Sequence, residues 1–107
     1  MKASACLALT TCPSEDVAQK LASELVKRRL AACVNIIPGI TSVYSWQGQV
    51  NQDAECKLLI KTRQDVVQAA YNCVIELHPY DVPEWMIIIV AGGSEDYLSW
   101  LDNSIKT

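Results

Sequence analysis

Hydrophobic and polar positions change period several times along this chain, and each change marks an element. Residues 3–11 are apolar on both faces, the pattern of a strand with neighbours on either side. Thr11-Cys12-Pro13 breaks the run. Ser14 then offers an N-cap, followed by Glu15 and Asp16 in a first turn where acids suit the helix dipole. Val17, Ala18, Leu21, Ala22, Leu25 and Val26 recur at the helical period, and Lys27-Arg28-Arg29 closes the helix with favourable positive charge, a solvated end rather than a nucleic-acid contact. From Cys33 the period falls to two. One arm runs over 33–46 with a bend at Pro38-Gly39, Gln47-Gly48-Gln49 makes a turn, and a return arm covers 50–60. A second helical stripe over 64–77 holds Val66, Val67, Ala70, Cys73, Val74 and Leu77, and Pro79 stops it. A stiff two-proline loop, 78–84, leads into 85–90, which is apolar without alternation and is expected to be covered on both faces. Gly92-Gly93 turns the chain, and Ser94 caps a short last helix from 95 to about 103 with Tyr97 and Leu101 on one side.

The order β-α-β-β-α-β plus a small helix predicts an α+β, ferredoxin-like fold with both main helices on one sheet face, in a single domain spanning 1–107. The hairpin is too long for it. Each arm reaches roughly 40 Å at about 3.3 Å per residue, whereas a 15-residue helix covers about 22 Å. Val43, Tyr44, Trp46 and Val50 therefore lie in an overhang, an apolar ribbon that one copy leaves wet. Pro38 marks its arm as edge or bulged, and the apolar fourth strand also falls at a sheet edge, where the last helix or another subunit has to cover it. Both features call for further copies of the chain.

Composition narrows the partners. The net charge of -3 and a pI near 5.0 give no basic footprint for nucleic acid or anionic membrane, and no apolar run is long enough to span a bilayer. Met1-Lys2 and the apolar residues after it faintly mimic a leader, and Leu9-Thr10-Thr11-Cys12 a lipoprotein cleavage site, but the run is short and Thr11 is not the small residue wanted there. Five cysteines without C-x-x-C point to a reducing, cytoplasmic setting. Cys6, Cys33, Cys56 and Cys73 read as core packing.

Candidate chemistry is sparse. No Gly-rich phosphate loop, Ser-His-Asp set or paired-histidine zinc spacing occurs, so no enzyme and no organic cofactor is expected. His78 is the single histidine; with a thiolate such as Cys12 it suits copper or another divalent cation, and its bland role is a loop imidazole bonded to backbone. Asp81 and Glu84 could share acid/base work or serve as turn acids. Glu55 and Lys61 lie on one strand face within reach of a subunit cleft, to which Tyr44, Trp46, Tyr80 and Glu84 are also candidates, as ligand contacts or interface anchors. A small acyl-phosphate hydrolase on this fold needs anion-binding amides and an arginine after the first strand, and a heavy-metal chaperone needs C-x-x-C there; neither occurs.

The run Leu30-Ala31-Ala32-Cys33-Val34-Asn35-Ile36-Ile37-Pro38-Gly39-Ile40-Thr41-Ser42-Val43-Tyr44-Ser45-Trp46-Gln47-Gly48, with Glu55, Leu59-Ile60-Lys61-Thr62, His78-Pro79-Tyr80-Asp81-Val82-Pro83-Glu84 and Tyr97-Leu98-Ser99-Trp100, resembles the CutA family of divalent-cation tolerance proteins over nearly the whole chain. The resemblance implies a cytoplasmic homotrimer of ferredoxin-like subunits, similar in plan to PII signalling proteins, without accepted catalytic activity and associated with tolerance of copper and other divalent metals. It also implies copper ligands at a cysteine ending the first strand and at two histidines before Pro-Tyr. Here Thr10 stands at that cysteine's position, Leu77 at the first histidine's, and His78 alone matches; Cys12 is two residues further on. A PII-like module taking a small ligand between subunits is the alternative reading.

Overall fold

The computed structural model describes residues 4–106, so the predicted strand start at Ala3 and the Met1-Lys2 part of the leader-like segment lie outside the described residues. The elements are β1 (Ala5–Cys12), α1 (Glu15–Lys27), β2 (Cys33–Trp46), β3 (Gln49–Arg63), a 3-10 turn (Gln64–Val66), α2 (Val67–Leu77), β4 (Met86–Ile89) and α3 (Glu95–Ser104). The sheet is antiparallel in the order β2-β3-β1-β4, which puts β1 inside and β4 at an edge, as the ferredoxin-like reading requires.

Both predicted caps form. Ser14 and Ser94 take extended backbone, and their hydroxyls accept from the Val17 and Tyr97 amides, each satisfying one free donor of the first turn. The 64–77 stripe is split because no side chain caps its start: Gln64 donates its amide to the Ser4 carbonyl, and the chain makes a 3-10 turn before α2 settles. Arg29 sits in the left-handed region at φ 59 as α1 ends, and its guanidinium donates to the Asn103 and Ser104 carbonyls. That basic end is thus partly a clamp on α3, not only a solvated terminus. Arg28 ion-pairs with Glu24 and Glu76.

The core lies between the helices and one sheet face. Cys6, Ala8, Thr10 and Cys12 of β1 and Cys56, Leu58, Ile60 and Thr62 of β3 alternate onto it, facing Ala18, Leu21 and Leu25 of α1, Ala70, Cys73 and Val74 of α2, and Leu101 of α3. Each large apolar side chain fully buried here is worth roughly 1.5–3 kcal/mol relative to exposure. Cys33, expected in the core, is only half-buried, because its register partner is Lys61 and both lie on the opposite face.

That opposite face is left open by the described residues. Leu7, Leu9 and Leu59 are half-buried there, and Met86 and Ile88 pair with Leu9 and Leu7 across β4. All four β4 residues are exposed, so the cover expected on both faces is not supplied by the described residues; α3 packs on β1 and β3 instead. The strand is also shorter than 85–90. Trp85 turns to the core and packs on Tyr71, with ring centroids 5.4 Å apart, and past Ile89 the Val90 amide still donates to the Ala5 carbonyl at 3.2 Å. The hairpin runs out beyond the helices, and the molecule is 46 Å long but only 25 by 22 Å across. Val43, Tyr44, Trp46 and Val50 are all exposed on it, Val50 at 76%.

Candidate functional site

Three alternate residues of β3, Asp53, Glu55 and Lys57, point to the open side of the sheet at the base of the overhang, and each holds one partner. Asp53 accepts a bond from the Tyr44 hydroxyl; Tyr44 pairs with Asn51, so Asp53 is its diagonal neighbour, within an aromatic side chain's reach. Glu55 accepts from the Tyr80 hydroxyl at 3.1 Å, and Lys57 donates to Glu84 at 2.6 Å. The last two bonds fix the 78–84 loop over the sheet. Between loop and hairpin lies a cavity of about 690 Å³ whose walls include Tyr44, Trp46, Glu55, Tyr80 and Glu84.

The β2 bulge gives this site its shape. Ile37 pairs with Lys57 but Ile40 with Glu55, so the two residues between them, Pro38 and Gly39, span a single β3 residue, and Gly39 takes φ 69. The extra residue realigns Ser42, Tyr44 and Trp46 with the Asp53–Glu55 face.

Charge and burial set the chemistry. Asp53, Glu55, Asp81 and Glu84 line the cavity, and Lys57 is committed to Glu84. Burial and then the Glu55 bond push the Tyr80 phenol up to about 12, and the bond to Asp53, with some desolvation, raises that of Tyr44. Both therefore remain hydroxyl donors at neutral pH. The lining offers an anion no free positive charge.

His78 is buried and does not line this cavity, but it is bonded to Thr11 and Tyr80, which do. Its Nε2 lies 2.7 Å from the Thr11 carbonyl, to which it donates, and its Nδ1 accepts from the Tyr80 amide at 3.1 Å, so both ring nitrogens are engaged. The Cys12 thiol, on the helix-covered face, donates to the Ser14 carbonyl at 3.4 Å, and burial pushes it up to about 11. Among the described residues no three His, Cys, Asp or Glu side chains converge as a metal cluster.

The structure thus brings five of the six cleft candidates together and separates the sixth. Lys61 shares a face with Glu55 but lies further along β3, its ammonium 3.3 Å from the Tyr97 hydroxyl and 5.5 Å from that ring's centre. Asp53 and Lys57 belong to the site and were not singled out from sequence, although their period-two spacing with Glu55 was the available signal.

Fold and cleft together define a class: a small ferredoxin-like α+β chain with an overlong hairpin and a tyrosine- and carboxylate-lined hollow at its base. The chain belongs to the CutA1 divalent ion tolerance protein family, whose profile matches residues 6–104. It is 50% identical over 93 residues to the divalent-cation tolerance protein CutA of Thermus thermophilus, covering 87% of this chain and 90% of that one. With the chloroplastic protein CutA of Arabidopsis thaliana it shares 48% identity over 96 residues, 90% of this chain, but spans only 53% of that longer protein. Among solved structures, CutA1 from Oryza sativa superposes with a TM-score of 0.95 at 42% identity, covering 98% of this chain and 96% of that chain.

Proposed function

We propose that this chain is a non-catalytic divalent-cation tolerance protein that works in the cytoplasm as a homotrimer and binds a divalent ion, copper preferred, weakly at His78. Family membership supports the tolerance role, and the uncovered sheet face and hairpin support assembly. The observation that carries the weak binding is the double engagement of the His78 ring, since an ion must displace the Thr11 or the Tyr80 bond before the imidazole can ligate. Copper leads because imidazole with at most one sulfur or carboxylate favours it over other first-row divalent ions. Cys12 is a reluctant second ligand: its buried thiol has to lose a proton first. The non-catalytic reading draws support from the same bonds, because the imidazole serves backbone groups and the Cys12 thiol serves Ser14, which leaves these two side chains unpaired with each other as base and nucleophile.

Calorimetry with copper(II) on the native protein, His78→Ala and Cys12→Ser tests this. Weak binding that disappears in His78→Ala is the expected result. Equal binding by all three proteins would place the site elsewhere, and binding by none would remove chelation at this loop from the tolerance role.

The cavity favours a second reading, a PII-like module that takes a small ligand between subunits. Its four carboxylates against one paired lysine make a nucleotide or other anion the wrong occupant.

A further inference from the structure

The cavity at the base of the hairpin combines two kinds of group that favour an organic cation, aromatic faces and carboxylates. Tyr44 and Trp46 come from β2 and Tyr80 from the loop after α2, and all three rings are exposed rather than buried in the core. Tyr80 is held at three points: its amide donates to His78 Nδ1, its ring lies against the imidazole with centroids 4.8 Å apart, and its hydroxyl donates to Glu55. Tyr44 is tied through its hydroxyl to Asp53. Rings fixed in this way lose little freedom when a ligand arrives.

The charge of the walls is unbalanced and dispersed. Of Asp53, Glu55, Asp81 and Glu84, only Glu84 is ion-paired among the described residues, with Lys57. Asp53 and Glu55 accept from phenol hydroxyls, which carry no charge, so three of the four carboxylates line the hollow without a cation on them. They are also spread out: among the described residues no three acidic, His or Cys side chains converge as they do around a metal ion. Asp53 and Glu55 lie two residues apart on one strand face, about 7 Å, and Asp81 stands on the loop wall.

We infer that this cavity binds an aliphatic di- or polyamine, with its ammonium groups on Asp53, Glu55 and Asp81 and its methylene chain along the rings of Tyr44, Trp46 and Tyr80. A single small ion meets carboxylates too scattered to enclose it, and an anion meets repulsion. Ammonium groups separated by short methylene chains match both the spacing of the charges and the apolar faces between them. The ammonium and the polarised methylenes beside it are attracted to the ring faces as well. A volume of about 690 Å³ is in the range of small-molecule sites. The inference deepens the small-ligand reading of this cleft and rests on it. It depends neither on copper at His78 nor on the number of copies, since every wall residue named is on one chain.

The test is calorimetry of the native protein with spermidine, tetramethylammonium, magnesium chloride and ATP, joined to proton NMR of the bound spermidine. One spermidine per chain is expected, held more tightly than the other three, with its methylene protons shifted upfield as protons over aromatic faces are. Glu55→Gln should weaken binding about tenfold. Asp16→Asn makes the same change of charge on the exposed first turn of α1 and should leave binding unchanged. Equal weakening by the two variants, or binding without the upfield shift, is diffuse attraction to an acidic chain and overturns the site. Magnesium that displaces spermidine at equal concentration overturns it too. ATP binding without spermidine binding removes the polyamine and keeps the small-ligand module, whereas binding by none of the four removes both. If Glu55→Gln fails to fold, the upfield shift and the magnesium competition on the native protein decide.

Discussion

Thr62 turns its methyl into the core and its hydroxyl to the Leu30 carbonyl, 2.7 Å away, with no exposure. Thr62→Val keeps the shape and leaves that carbonyl unpaired, so urea unfolding should show a loss of about 1–3 kcal/mol. An unchanged midpoint would mean the carbonyl has another partner. Tyr80 carries a pH prediction. Its folded pKa of about 12 lies above the ordinary phenol value near ~10, so its contribution is complete below the unfolded value and is lost as pH rises toward the folded one. Stability should fall across that alkaline window, less so in Tyr80→Phe; identical profiles for the two proteins would break the link to Glu55. Sequence could place Glu55 near a cleft, but it could not separate Lys61 from it. Six residues along a strand are about 20 Å, so sharing a face does not mean sharing a site. A backbone-bonded His78 was readable from its loop, yet its partner Thr11 is 67 positions away and only the fold brings them together.

The hairpin is the element on which the site depends, and its turn was legible at Gly48, whereas Gln49 already belongs to β3 and the positive φ of Gln47 was not read from the sequence. Gln47 and Gly48 take φ 50 and 79, the two positive angles of a type I′ turn, whose twist matches the arms. Gly48→Ala should cost roughly 1 kcal/mol, since a Cβ meets no atom there but the backbone angle is strained. Gln47→Asn, which suits that region better, should gain about 0.5 kcal/mol in the same denaturation series. A reversed order of the two variants would contradict the turn type. Hairpin, caps and helical stripes were readable because each rests on local chemistry. The late start of α2 and the short β4 were not. They follow from a missing cap at one end and from the Trp85–Tyr71 packing at the other, which no periodicity reports.

For the whole molecule, the unusual feature is apolar surface that the described residues leave uncovered. Met86 and Ile88 of β4 continue the open face begun by Leu7, Leu9 and Leu59, and the hairpin adds Trp46 at 63% exposure and Val50 beyond it. An edge strand with four exposed apolar residues and unpaired backbone groups is a liability in a monomer and an interface in an assembly. The sequence pointed to this from strand length and from the unbroken apolar run, both independent of any partner. The proposed number of copies, three, rests on the sequence resemblance alone. Light scattering at low micromolar concentration should therefore return three times the 11.8 kDa chain. Ile88→Asp should lower that mass by placing a charge on the open face, and Trp46→Ala should weaken assembly by about 2 kcal/mol or more if the ring is an anchor, read as a shift of the dissociation midpoint on dilution. Lys20→Ala, on the exposed side of α1, serves as the control and should leave the mass unchanged. A native mass of one chain would remove the assembly argument and the trimer together, and a trimer indifferent to Ile88→Asp would move the interface away from the open face.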